Sequence, residues 1–377
     1  IFSGYPLIMM VDGALMKDST EPGTASGGRL FPLDALRGLI IVVMALDHAN
    51  HFVAQQHSSG EYWGGPFPAY GSALPFLTRL VTHIAAPGFM FLMGAGMILF
   101  ARSREESGWG KWAVRSHFWL RGFLLILLQF TLVNLAWSLS PGGWVVEIYI
   151  GVLFALGAAM ILNSFLLELP IWLLLLITAV FLLLTHLLLP DPTAWGLLPA
   201  ATWQKLLLWP GGDIPLWSNY PILPWLPLAT FGLAYGRLLL ADPERIWRRS
   251  LWAGLAFLAP FLLLRAYGGP GNIRPPLGEG WIPFLNLVKY PPGLLFFLLT
   301  MGVNLILLWL FAQAGARAQK ILRPLVVFGR VPLFFYITHL FLYAAMGHLF
   351  TPQGTTLPVM YLFWLFGLLL LYPLCLG

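Results

Sequence analysis

The sequence predicts an all-α fold, a polytopic transmembrane helical bundle of about ten spans with a cytoplasmic N-terminus. Hydrophobic residues make up 59% of the chain and charged residues only 10%, against about 25% charged in an ordinary soluble domain. The apolar residues fall in runs near the ~20 that a helix needs to cross the hydrocarbon core. Runs such as 123–128 and 172–189 lack the alternation over about ten residues that marks a membrane β-barrel.

Polar and Pro/Gly clusters cut the chain into spans near 33–55, 78–101, 117–139, 148–167, 170–189, 219–240, 250–267, 292–313, 325–349 and 357–376. Residues 1–28 hold Asp12, Lys17, Asp18 and Glu21 and no long apolar core. They read as a cytoplasmic N-terminal tail rather than a cleavable signal peptide, which leaves 29–377 as a single transmembrane domain. In this orientation all of the 21 Lys and Arg residues except Arg79, Lys205, Arg265, Arg274 and Lys289 lie at cytoplasmic ends. That positive-inside bias sets the topology. It requires a break between Asn163 and Pro170, because one bent helix over 148–189 would turn Arg245, Arg248 and Arg249 outward. The outer loops 51–77, 190–218 and 268–290 are rich in Pro, Gly and Trp and long enough to form a vestibule.

Composition also excludes partners. The net charge of +6 is spread over several short loops, so it reads as an orientation signal and not as a nucleic-acid surface. The lipid bilayer is the expected surrounding, in a multi-pass protein of the inner (plasma) membrane if the source is bacterial. The one cysteine, Cys375, rules out an intramolecular disulfide framework and a multi-cysteine metal site, and no metal is expected. A homodimer is compatible with this reading.

The first span carries Asp34, Arg37, Asp47, His48 and His51 in a helix otherwise suited to lipid. Ionisable groups are expensive there and by default mark function. Arg37 and His48 are eleven positions apart, so at 100° per residue their directions differ by only about 20°. Asp34 and His51 lie within about 60° of that face, while Asp47 points about 80° away. A rise of roughly 16 Å puts Arg37 near the cytoplasm and His48 in the outer half. The plain alternative is that Arg37 snorkels to headgroups and the histidines sit in a wet loop mouth.

These residues resemble the heparan-alpha-glucosaminide N-acetyltransferase family, whose first span has the pattern R-x-x-S-[LV]-D-x-x-R-G followed by a methionine and a polar pair. Here the pattern falls on Arg29, Leu33, Asp34, Arg37, Gly38, Met44, Asp47 and His48, with Pro32 in place of the serine. The similarity continues from Thr82 to Gly96, His117 to Gly122, Tyr220 to Gly232 and Phe328 to His339. The spacing of Arg37 and His48 is also similar to the R-x10-H signature of membrane acyltransferases that O-acylate bacterial surface glycans, in which the histidine is the proposed base. Lysosomal members instead resemble R-x10-N with an active histidine further into the luminal loop, near where His57 stands here. The resemblance therefore implies an acyltransferase-like domain using acetyl-CoA as donor and an amino sugar or glycan as acceptor, and it leaves His48 and His57 both open as the base. His48 is favoured because a helix fixes it against Arg37.

Acyl transfer from a thioester to an amine or hydroxyl needs a base for the acceptor's proton, and imidazole suits that role. Asp47 is the local carboxylate to fix its tautomer, while Asp34, roughly 21 Å away along the helix, is better placed to orient Arg37. The phosphates of a CoA donor should meet cations at the cytoplasmic ends, Arg37, Lys111, Arg115 and Arg121. His117, one turn before Arg121, joins them at the donor's way in. His83 follows Arg79 by one turn, and the small residues after it allow the helix to approach His48. His51, His57, His83, Tyr220 and Trp225 are the candidate acceptor contacts. Pro221, Pro224 and Pro227 are expected to break the sixth span and open a cavity. Trp217 and Trp281 suit either an interfacial belt or stacking on a sugar face. The competing function is a transporter or flippase that uses the same charged stripe to bind substrate or protons.

Overall fold

The structure, a computed structural model, describes residues 30–57, 60–197, 200–269 and 271–376. The expected tail over 1–28 and Arg29 lie outside these residues. Pro32 occupies the first turn of Phe31–Ala49 (α1), where proline sacrifices no hydrogen bond. α1 continues into a π-helical turn, Asn50–Ala54, closed by Gln55 in the left-handed conformation at φ 56°. Ala73–Leu80 (α2), a 3₁₀ turn at Val81–Ile84 and Ala85–Glu106 (α3) join into one 34-residue segment. Lys111–Leu128 (α4), a π turn at Gln129–Val133 and Asn134–Ser138 (α5) form another, of 28 residues.

The remaining helices are Val152–Asn163 (α6), Ile171–Leu188 (α7), Thr202–Leu207 (α8), Ile222–Ala241 (α9), Ile246–Tyr267 (α10), Trp281–Leu285 (α11), Leu294–Ala312 (α12), Ala316–Ile321 (α13), Arg323–Arg330 (α14), Pro332–Phe350 (α15) and Leu357–Leu374 (α16). Among the described residues, 8 segments are long and apolar enough to cross a membrane: the two composites, α7, α9, α10, α12, α15 and α16. α1 has the length but carries Asp34, Arg37 and Asp47. α6 has only 12 residues and rises about 18 Å. The protein is thus a multi-pass helical membrane protein, and each expected span contains a helix.

Several details differ from expectation. The fourth span is shorter than 148–167, and the ninth is divided at Val331 into α14 and α15, because Pro332 starts a new helix. The required break is present: α6 ends at Asn163 and Pro170 caps α7. The prolines of the sixth span do not break α9. Pro221 is its N-cap and Pro224 lies in its first turn, so only Pro227 removes an intrahelical bond. A small sheet, absent from the all-helical expectation, links the segments before α6 and α9. Leu216–Ser218 (β3) pairs in parallel with Ile148–Ile150 (β1) and antiparallel with Gly211–Asp213 (β2). Of the cations expected in outer loops, Arg79, Arg265 and Lys289 are buried. Arg265 donates to the carbonyls of Pro283, Phe284, Asn286 and Arg274 and to Asn272 Oδ1, which pins the loop before α12.

α1 is held against α14 by glycines. A Cβ on Gly38 would stand 1.8 Å from the Leu325 carbonyl oxygen, and one on Gly329 would stand 2.1 Å from that of Asp34. Both obstacles are backbone, so the helices must separate to admit a methyl. Gly38→Ala should therefore cost about 1–3 kcal/mol, read as a lower melting temperature in detergent. Gly96→Ala, whose Cβ would meet nothing within 4 Å, should leave that temperature unchanged.

Candidate functional site

His48, near the C-terminal end of α1, meets α15. Its Nδ1 lies 2.7 Å from His339 Nε2, and the two rings stack with centroids 5.0 Å apart. His339 is fully buried, and its Nδ1 lies 2.7 Å from the Phe335 carbonyl oxygen. A carbonyl only accepts, so His339 Nδ1 carries the hydrogen and a neutral His339 has its lone pair on Nε2. His48 must then donate from Nδ1, which leaves the lone pair of neutral His48 on Nε2. His48 is half-buried and makes no other hydrogen bond among the described residues. The hydrogen-bond network alone assigns these tautomers.

Aromatic rings surround this pair. Trp137 and Tyr336 present edges to His48 at 5.6 and 6.4 Å. His51 packs on Trp137 at 4.5 Å, and its Nε2 lies 3.2 Å from Ser140 Oγ. Trp144 and Tyr149 extend the wall, 5.1 and 5.6 Å from Trp137. Sequence reasoning missed Trp137 and Trp144. The π turn over 129–133 advances the helical phase just before Trp137, so regular spacing could not place it.

Asp47 is not engaged with His48. Arg79 Nη1 donates to its two carboxylate oxygens at 2.6 and 2.9 Å, and Thr82 Oγ1 donates at 2.9 Å. Arg79 also grips Glu61 bidentately, with both bonds 2.6 Å. Glu61 has no exposed surface. Burial pushes its carboxyl up, but the Arg79 guanidinium outweighs that and holds it well below the ordinary carboxylate range. Glu61 was overlooked because a lone acid among Gly60, Gly64 and Gly65 reads as a solvated loop residue. His57 is held in the same cluster, its Nε2 2.8 Å from Arg79 Nη1 and 3.1 Å from Asp47 Oδ1.

His83 lies beside Glu61, Nε2 to Oε1 3.5 Å, rather than beside His48 as expected. Neither of its ring nitrogens has a hydrogen-bond partner among the described residues. Lys289 completes the cluster. Its amine is lowered to about 8, by burial first and then by Arg79. Two carboxylates and two cations, Asp47 and Glu61 with Arg79 and Lys289, make the group neutral overall. Isolated charges at this depth would be far costlier.

At the N-terminal end of α1, Arg37 donates to Asp34 Oδ1 at 2.8 Å and to the Gly329 carbonyl at 3.2 Å, so it locks α1 to the end of α14. His117, Arg115 and Arg121 stand on α4, which packs on α6, whereas α1 packs on α14, α12 and α3. α3 also packs on α4, so the cations expected to form one donor cradle stand on two helices that meet through α3. Arg115 and Lys111 both donate to Glu168, and His117 stacks on Phe100 at 4.5 Å. The rings of Tyr220 and Trp225 lie 4.5 Å apart and tilted to each other, and both are buried. They form a floor rather than an open vestibule wall.

Fold and site define an integral membrane protein that keeps ionisable chemistry inside its bundle. Over residues 29–265 the chain matches the family described as heparan-alpha-glucosaminide N-acetyltransferase, catalytic. That match covers more than half of the chain, which belongs to this family of membrane acetyltransferases. Comparison with curated proteins gives no match. Lys289 and His339 lie beyond the matched segment.

Proposed function

We propose that the protein transfers an acetyl group from cytoplasmic acetyl-CoA to an amino sugar or other glycan acceptor at the outer face, with His48 as general base. The observation that carries this is the hydrogen-bond chain from the Phe335 carbonyl through His339 to His48, which supports a base with its lone pair on Nε2. In the reaction the acceptor nitrogen or oxygen attacks the thioester carbonyl. A C–N or C–O bond forms, the C–S bond breaks, and the proton passes through His48 Nε2 to the departing thiolate. His51, His57, Trp137 and Trp144 are the acceptor-side groups, and Arg37, His117, Arg115 and Arg121 the donor-side groups.

A second reading makes His57 the base, favoured by its 3.1 Å approach to Asp47. Arg79 Nη1 lies nearer the same nitrogen, at 2.8 Å, and an arginine can only donate. That leaves the hydrogen of neutral His57 on Nδ1 and occupies its Nε2 lone pair with Arg79, so the lone pair is not free for an acceptor's proton.

The test incubates purified protein with labelled acetyl-CoA and a panel of amino sugars. Label should appear on a sugar. Sugar uptake into proteoliposomes without acetylation would instead establish the transporter reading. His339 contributes by orienting His48, so His339→Ala should lower kcat about ten- to a hundredfold with KM little changed. That is the worth of one hydrogen bond to the imidazolium that forms. His339→Gln keeps an acceptor and should recover part of the rate.

A further inference from the structure

α15 presents a second group to His48 besides His339. Tyr336 lies three positions before His339 on that helix, so the two share a face. Its ring stands nearly perpendicular to that of His48, at 82° and 6.4 Å, and lies 5.7 Å from that of His339. Tyr336 is buried, yet its hydroxyl makes no hydrogen bond among the described residues and is not sealed off. A buried tyrosine hydroxyl usually finds a partner. Other buried tyrosines have one: Tyr149 accepts from Asn219 Nδ2, Tyr62 donates to Asn219 Oδ1, and Tyr343 donates to the Trp364 carbonyl.

The free hydroxyl is directed to the site rather than to lipid. It lies within electrostatic reach of the Tyr149 and Tyr220 hydroxyls, and both of those lie within reach of Asp47, the residue before His48. One face of α15 therefore supplies His48 with the group that orients it and with an O–H donor that nothing in the protein uses. Acyl transfer needs such a donor, because negative charge builds on the thioester oxygen as its carbon becomes tetrahedral, and a donor already in place in a water-poor site stabilises that charge most.

We propose that the Tyr336 hydroxyl is a catalytic residue, the oxyanion donor that hydrogen-bonds the acetyl oxygen while His48 takes the acceptor's proton. The inference rests on the acetyl-transfer reading above. As the acceptor nitrogen or oxygen bonds to the carbonyl carbon, the π pair moves to the oxygen, and Tyr336 donates a hydrogen bond without giving up its proton. The pair returns as the C–S bond breaks, and the thiolate leaves with the proton that His48 carried.

The experiment measures labelled acetyl transfer to glucosamine by Tyr336→Phe, which removes only the hydroxyl. The variant should lose about 10²–10³-fold in kcat, with KM for glucosamine and for acetyl-CoA little changed and the melting temperature unchanged, since the hydroxyl bonds to nothing in the protein. A kcat within about threefold of native overturns the proposal. So does a loss that falls on the glucosamine KM, which would make Tyr336 an acceptor contact. If the native protein acetylates no sugar, the glycan reading fails, and calorimetric titration with S-carboxymethyl-CoA, which carries an anion next to the sulfur-bound carbon, decides the tyrosine alone. Binding weakened about tenfold by Tyr336→Phe, with affinity for CoA itself unchanged, upholds the assignment. Equal affinity, or no binding of S-carboxymethyl-CoA to the native protein, rejects it.

Discussion

Replacing His48 by alanine is expected to cut acetyl transfer by about 10²–10⁴-fold, the usual worth of a positioned general base. The loss should fall on kcat, because removing the imidazole takes away the proton's destination and leaves the surrounding walls in place. Those walls do not depend on His48. Trp137 keeps its contacts with Phe52 and Tyr149, and His339 keeps its bond to the Phe335 carbonyl. His48→Ala does take the donor from the buried Nε2 of His339, which costs about 1–3 kcal/mol. The melting temperature should therefore fall modestly while the protein stays folded, and the fall in rate is not a folding defect.

The largest effect on stability is expected at Arg79. Its guanidinium satisfies Glu61 and Asp47 together, so Arg79→Met leaves two carboxylates in the interior with no arginine. Breaking a buried pair in this way costs about 3–5 kcal/mol, a large share of a typical stability of about 5–15 kcal/mol. The pH dependence follows from Glu61, whose carboxyl is held below its ordinary value in the folded protein. Such a group stabilises fully above its unfolded pKa, about 4.3, and the contribution is lost as pH falls through the lower folded value. The melting-temperature gap between native protein and Arg79→Met should be widest near neutral pH and narrow below about pH 4. A gap independent of pH would show that Glu61 is not the group being stabilised.

The parts legible in the sequence are those that one helix or one apolar run determines. Arg37 and His48 could be placed on a common stripe because α1 is unbroken between them. The spans follow from run length, from the polar and Pro/Gly clusters between runs and from the distribution of Lys and Arg. What escaped depends on contacts between distant segments. His339 is separated from His48 by 291 positions, and only the packing of α15 on α1 brings them together. Asp47 was assigned to His48 by adjacency, but neighbours on a helix point about 100° apart, and Arg79 on α2 claims the carboxylate. Three-residue strands carry no periodicity to detect. Glu61 and Lys289 look solvated as isolated loop charges and become interior only because their segments pair.

The central claim, that the Nε2 lone pair of His48 takes the acceptor's proton, is tested most directly by imidazole rescue. Single-turnover acetyl transfer from labelled acetyl-CoA to glucosamine would be measured for His48→Ala and His57→Ala, with and without added imidazole. His48→Ala should be nearly inactive and regain activity with imidazole, while His57→Ala retains transfer without it. A near-native rate in His48→Ala together with a rescuable loss in His57→Ala would contradict the assignment and move the base to His57.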